Sequence, residues 1–153
     1  MNAMPRIALP AYLSIVRASA IYDLVVTAAF ATPWTFLTMR NRLSALNQGL
    51  GGHPLPPFEP FHVLIACLMG SIVLVWSLLR LRHPSVRLGR FDALGRMLFS
   101  VWMTWALAVT GEPLLWLFVV PEFSWGLLQF MPVGSRACGD MSESGQSNRT
   151  GDL

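Results

Sequence analysis

Lysine is absent from this chain of 153 residues, so apart from three histidines every basic side chain is an arginine, and charged residues of all kinds make up only 12%. With 54% hydrophobic residues set against so little charge, the chain cannot coat a water-soluble core of its own size, and lipid must supply part of its solvent. The arginine bias reads as GC-rich coding rather than an arginine-specific task. Its positive charge stands beside apolar runs and not on an aromatic-interleaved polar face, which excludes nucleic acid as a partner. Cysteine is nearly as scarce. Cys67 lies in an apolar run and Cys138 in a polar tail, so neither a disulfide framework nor a metal spacing follows. His53, Glu59 and His62 are separated by prolines and fit no standard ligand spacing. There is no phosphate-cradling glycine loop, nucleophile elbow, zincin pair or haem-type histidine pair. The sequence therefore names no catalytic residue, metal or cofactor, and a non-enzymatic role is expected.

What the chain does have is apolar length. Four segments stand out, at about residues 18–37, 62–79, 91–110 and 114–131. A run of about 20 residues makes a helix of about 30 Å, the thickness of the hydrocarbon layer. Ala18-Ser19-Ala20 resembles a signal-peptide cleavage site, but Pro10 interrupts the stretch before it and Arg17 adjoins it, so retention as a first membrane helix is expected. The third segment reaches spanning length if residues 91–96 form its first turns. Gly111-Glu112-Pro113 then leaves room only for a tight turn into the fourth. The expected fold is all-α, an integral membrane four-helix bundle over residues 1–132 followed by a disordered polar tail over 133–153. Between the first two spans, a short interfacial helix near residues 42–47 should lead into a proline-rich return.

Orientation follows from the arginines. Arg80, Arg82, Arg87 and Arg90 crowd the connection between the second and third spans and mark it as cytoplasmic, which puts both termini on the cytoplasmic side of a bacterial inner membrane. Trp34, Trp76 and Trp116 fall near span ends as interfacial anchors, whereas Trp102, Trp105 and Trp125 lie deeper, in the core or along a cavity.

The charges inside the spans carry the functional question. Glu122, preceded by Pro121, stands mid-span, where an ionisable group costs about 2.5–3.5 kcal/mol and needs a partner or a task. At about 1.5 Å per residue, Asp23 lies about 9 Å inside the cytoplasmic boundary, Arg96 about 7–8 Å and Glu122 about 13 Å, so their heads can meet. One arginine with two carboxylates leaves an excess acid, free to hold a proton or a cationic or hydrogen-bonding guest. Helical spacing adds polar company: Ser19, Asp23 and Thr27 on the first span; Asp92, Arg96, Ser100 and Thr104 on the third; Glu122, Trp125 and Gln129 on the fourth. Asp92 alone reads as a helix-start residue paired with Arg96 at i and i+4. Asp23, Thr27, Arg96, Ser100, Glu122, Trp125 and Gln129 are thus the candidate polar cluster. It is register glue, a ligand or proton site, or a set of independent snorkelling charges.

The four short spans and the run Arg90-Phe91-Asp92-Ala93-Leu94-Gly95-Arg96 resemble the small four-helix bacterial membrane proteins of the DoxX-like type. The resemblance would cover residues 12–132 and implies a compact accessory bundle of redox or lipid-related systems, with no catalytic residue carried over. Three expectations stand side by side: a binding or accessory protein for a lipophilic ligand such as a lipid or quinone; a proton-coupled carrier working as a homodimer; and a structural subunit held by a partner membrane protein.

Overall fold

The computed structural model describes residues 6–134, of which 81% are helical. A two-residue strand β1 (Ile7–Ala8) leads into α1 (Leu9–Thr27), which tightens into a 3₁₀ turn at Ala28–Phe30; then come α2 (Pro33–Gly49), α3 (Pro60–Arg82) and α4 (Val86–Thr110). A 3₁₀ turn at Pro113–Leu115 opens α5 (Trp116–Phe130), and β2 (Val133–Gly134) pairs in parallel with β1. Four helical stretches are long and apolar enough to cross a membrane: Leu9–Phe30, Pro60–Arg82, Val86–Thr110 and Pro113–Phe130.

The first of these differs from the expected 18–37. Pro10 does not interrupt the helix, because it falls in the first turn, where the missing N–H has no partner to lose. The same rule ends the segment early. Pro33 starts a new helix whose cap, Thr32 Oγ1, accepts from the Thr35 N–H at 3.3 Å. Instead of a short helix near 42–47, α2 is therefore 17 residues long. At α3, Glu59 and His62 cap each other reciprocally, the Glu59 N–H reaching His62 Nδ1 at 3.3 Å, so neither is directed at a shared ligand with His53. Ser85 caps α4 by accepting from the Leu88 N–H at 3.2 Å, and Gly111, at φ +70°, ends it in the left-handed conformation that favours glycine. Residues 91–96 do continue that helix, which begins still earlier. Pro121 lies inside α5, and the helix runs through it.

The helices pack as two pairs, α1 on α3 and α4 on α5, with α1 in lighter contact with α5. Close approach within the first pair depends on Gly70: a Cβ there would lie 2.7 Å from the Phe30 carbonyl oxygen, which is backbone and cannot swing aside. A Gly70→Val chain is expected to lose about 1–3 kcal/mol through overpacking, read as a lower unfolding temperature in detergent, with Gly49→Val, which meets nothing, as the control. At the arginine-rich end, Tyr12 Oη donates to the Gln129 carbonyl at 2.8 Å, and the Arg90 guanidinium holds the Phe130 and Met131 carbonyls that α5 leaves open. The Ile7 N–H donates to the Pro132 carbonyl at 2.9 Å. Val133 and Gly134, expected within the tail, are thus paired to the start of the chain, because β1 offers them a ladder. Cys138 and the rest of the expected tail lie outside the described residues.

The buried apolar core is thin, with Tyr12, Phe36 and Leu114 set among small residues such as Val16, Ala20 and Ala93. The outer faces are strongly apolar. Trp102 and Trp105 are 64% and 62% exposed and join that face; neither packs the core, and Trp102 borders a shallow hollow of about 210 Å³ with Phe99, Met103, Phe118 and Glu122. Thr104 is exposed as well, so the inward polar stripe of α4 stops at Ser100.

Candidate functional site: a buried ion cluster beneath a cleft

One level of the bundle gathers five charged side chains from four helices. Arg96 on α4 lies at its centre, donating to Glu122 Oε2 on α5 at 2.8 Å, to Asp23 Oδ1 and Oδ2 on α1 at 2.8 and 2.7 Å, and through Nε to Asp92 Oδ2 at 2.9 Å. Arg80 on α3, with no exposed side-chain surface, bridges Asp23 and Asp92 through its two Nη groups. Ser77 and Ser19 flank it, their hydroxyl oxygens accepting at 3.2 Å each. Trp76 Nε1–H donates to Asp92 Oδ1 at 2.9 Å. Planar guanidinium forks suit this task because each presents several donors to more than one carboxylate at once.

The expected trio of Asp23, Arg96 and Glu122 is therefore in direct contact. Two members were not expected. Arg80 was placed in the flanking loop because the uncharged run ends at Leu79, yet α3 continues to Arg82 and turns Arg80 inward. The signal was the spacing of Trp76, Ser77 and Arg80, polar groups three and four residues apart at the end of an apolar helix. Trp76 is correspondingly a half-buried hydrogen-bond donor to the cluster. Asp92 does not serve chiefly as a helix-start residue. It accepts from both arginines and the indole.

The remaining candidates divide. Gln129 is fully buried and donates to Ser19 Oγ at 2.6 Å, which joins it to the cluster through the serine that Arg80 also touches. Thr27 bonds back to the Asp23 carbonyl of its own helix and lines the cavity beside the carboxylates. Trp125 lies against Tyr22, ring centres 6.2 Å apart and planes tilted by 44°. Ser100 is buried one turn beyond Arg96, and its hydroxyl finds no partner among the described residues.

Above the cluster, α3 and α4 separate. They meet near their short connection, where Trp76 and Arg80 reach Asp92, and enclose a cleft of about 320 Å³ farther along. Met69, Ile72 and Val73 form one wall and Phe91, Gly95 and Phe99 the other, while Asp23, Asp92, Arg96 and Glu122 form the floor. Apolar walls over a few convergent polar groups are the ordinary make-up of a small-molecule site, and the volume falls at the lower end of the usual range of about 300–1,000 Å³.

A second polar knot closes the opposite end. Asn47, fully buried on α2, donates through Nδ2 to the His53 carbonyl at 2.7 Å and to Glu112 Oε2 at 2.6 Å, and its Oδ1 accepts from the Leu114 N–H at 3.1 Å. His53 adds its N–H at 3.0 Å and its ring Nδ1 at 3.1 Å to the Glu112 carboxylate. The Asn47 amide, followed by the His53 main-chain N–H, holds the Glu112 carboxyl below its ordinary value of 4.5. A lowered folded value means that the contribution is complete above pH 4.5 and is lost as the pH falls through the folded value. The stability difference between the native chain and Glu112→Gln should thus be constant at neutral pH and vanish on acidification, as thermal unfolding at the two pH values will show.

No protein-family model matches the chain, and no curated protein or solved structure matches it.

Proposed function

We propose that this chain is a non-enzymatic integral membrane protein, a four-helix bundle with α2 at its periphery, that binds one lipophilic ligand laterally from the bilayer in the cleft between α3 and α4. Four apolar stretches of 22, 23, 25 and 18 residues support the insertion, since about 20 suffice to cross the hydrocarbon layer. The exposed apolar faces support it too. Val75 and Val109 are 69% and 67% exposed, surface that water would penalise and lipid would not. Arg82, Arg87 and Arg90 cluster at one end, with Arg6 at the same end and Arg40 and Arg42 on α2 at the other, which favours a cytoplasmic α3–α4 connection and both termini inside. The DoxX-like resemblance agrees with a small accessory bundle of a bacterial inner membrane.

The observation that carries the binding role is the cleft itself. Register glue alone accounts for Arg80 and Arg96 tying α1, α3, α4 and α5 together at one level. It does not account for two apolar walls held apart above the ions. Organic extraction of the full chain purified in mild detergent tests the role. One equivalent of a lipid, quinone or other lipophile per chain supports it. An extract with only detergent and non-stoichiometric bulk lipid overturns it.

A further inference from the structure

The cluster has an odd number of charges. Among the described residues, Asp23, Asp92 and Glu122 form ion pairs with Arg80 and Arg96 alone, so with every group ionised one negative charge of the cluster is left without a counter-charge in an apolar setting. Isolated buried charge is expensive enough that such a site holds one more positive charge in some form. The hydrogen bonds show where. Both oxygens of Asp23 and of Asp92 accept from arginine or from the Trp76 indole, and Glu122 Oε2 accepts from Arg96. Among the described residues, Glu122 Oε1 accepts no hydrogen bond, and Glu122 lines the cleft.

We infer that Glu122 holds one exchangeable positive charge, a proton when the cleft is empty and the ammonium head of a lipophilic amine when it is filled. This rests on the cleft being a binding site. An ammonium head supplies what Glu122 Oε1 lacks, a donor with a unit charge, and its chain would lie along Ile72 and Phe99. An anionic head is excluded by the same count. A neutral hydroxyl supplies the hydrogen bond without the charge and leaves the proton on Glu122. Exchange is a balanced step: the ammonium binds, the Glu122 carboxyl releases its proton to solvent, and the cluster stays neutral. The groups around Glu122 that set this balance are Asp23 and Tyr22 on α1 and Asp92 and Arg96 on α4, while Arg80 on α3 acts through the two aspartates it bridges.

The test titrates the detergent-solubilised full chain with dodecylamine, dodecanol and dodecanoate at about pH 6 and about pH 8. Dodecylamine is expected to bind one per chain, more tightly at the higher pH, with a proton released. Glu122→Gln is expected to weaken it by about ten-fold or more, the loss of one charge-assisted hydrogen bond. Amine binding that is indifferent to pH and releases no proton overturns the inference on the native chain alone, even if Glu122→Gln fails to fold. Dodecanol or dodecanoate binding as tightly as the amine also overturns it while leaving the cleft a binding site. Saturable binding of none of the three overturns the inference and weighs against the binding role itself.

Discussion

Arg80→Met is expected to destabilise the chain by about 3–5 kcal/mol, the penalty for removing one partner of a buried ion pair and leaving the others uncompensated. Arg80 is fully buried and holds Asp23 and Asp92 at once, so its loss leaves two carboxylates to share Arg96 with Glu122. Arg82, two residues on and exposed, is the control, and its replacement should change stability by no more than about 0.5 kcal/mol. Arg80→Lys should recover only part of the loss, because a single ammonium cannot span both aspartates and the two serines. Adding Asp92→Asn to Arg80→Met should restore some stability by reducing the charge imbalance. The coupling measured in that cycle separates a cluster from a set of independent snorkelling charges, for which the two effects would simply add. Thermal unfolding in one detergent, with all variants side by side, is the measurement.

Gly95→Leu is expected to abolish ligand occupancy without harming the fold. Gly95 stands in the wall of the cleft on α4, and a Cβ built there meets nothing within 4 Å, so the larger side chain projects into the cavity of about 320 Å³. Replacing a mid-helix glycine with a good helix former should itself add about 0.5–1 kcal/mol. Higher stability together with lost ligand is a combination that register glue does not produce. If the cleft were merely a packing fault, filling it would stabilise the chain and release nothing.

Much of this was legible in the residues, and the parts that were not have physical reasons. Depth counting brought Asp23, Arg96 and Glu122 to one level even though the first span was placed nine residues too far along, at 18 instead of Leu9. That agreement owes nothing to the count itself: four-residue spacing of polar residues marks the inward face wherever the helix begins, whereas from Leu9 Asp23 lies about 21 Å along the first span instead of about 9 Å. The start at Leu9 is hidden because a proline breaks a helix interior but costs nothing in a first turn, and the sequence around Pro10 does not say which applies. The burial of Arg80 is hidden for a different reason. Loop and buried arginines are the same residue type, and the rule that counts arginines for topology cannot tell an exposed Arg82 from a buried Arg80 two positions earlier. Only the neighbours decide, and Asp23 is 57 residues away in sequence. The separation of α3 from α4 had no signal in either helix alone, because it depends on α3 packing against α1 and α4 against α5. The knot of Asn47, His53 and Glu112 was hidden in the same way, because it joins the end of α2, the loop after it and the α4–α5 turn, 65 residues from Asn47 in sequence.

Native mass spectrometry of the full chain released from mild detergent, beside its Gly95→Leu variant, tests the binding role most directly, because it reports ligand, stoichiometry and partner chains in one spectrum. The expected result is one lipophile retained per native chain and none on the variant. A bare native chain, an adduct that survives the substitution, or a constant partner protein with no lipophile would contradict the account.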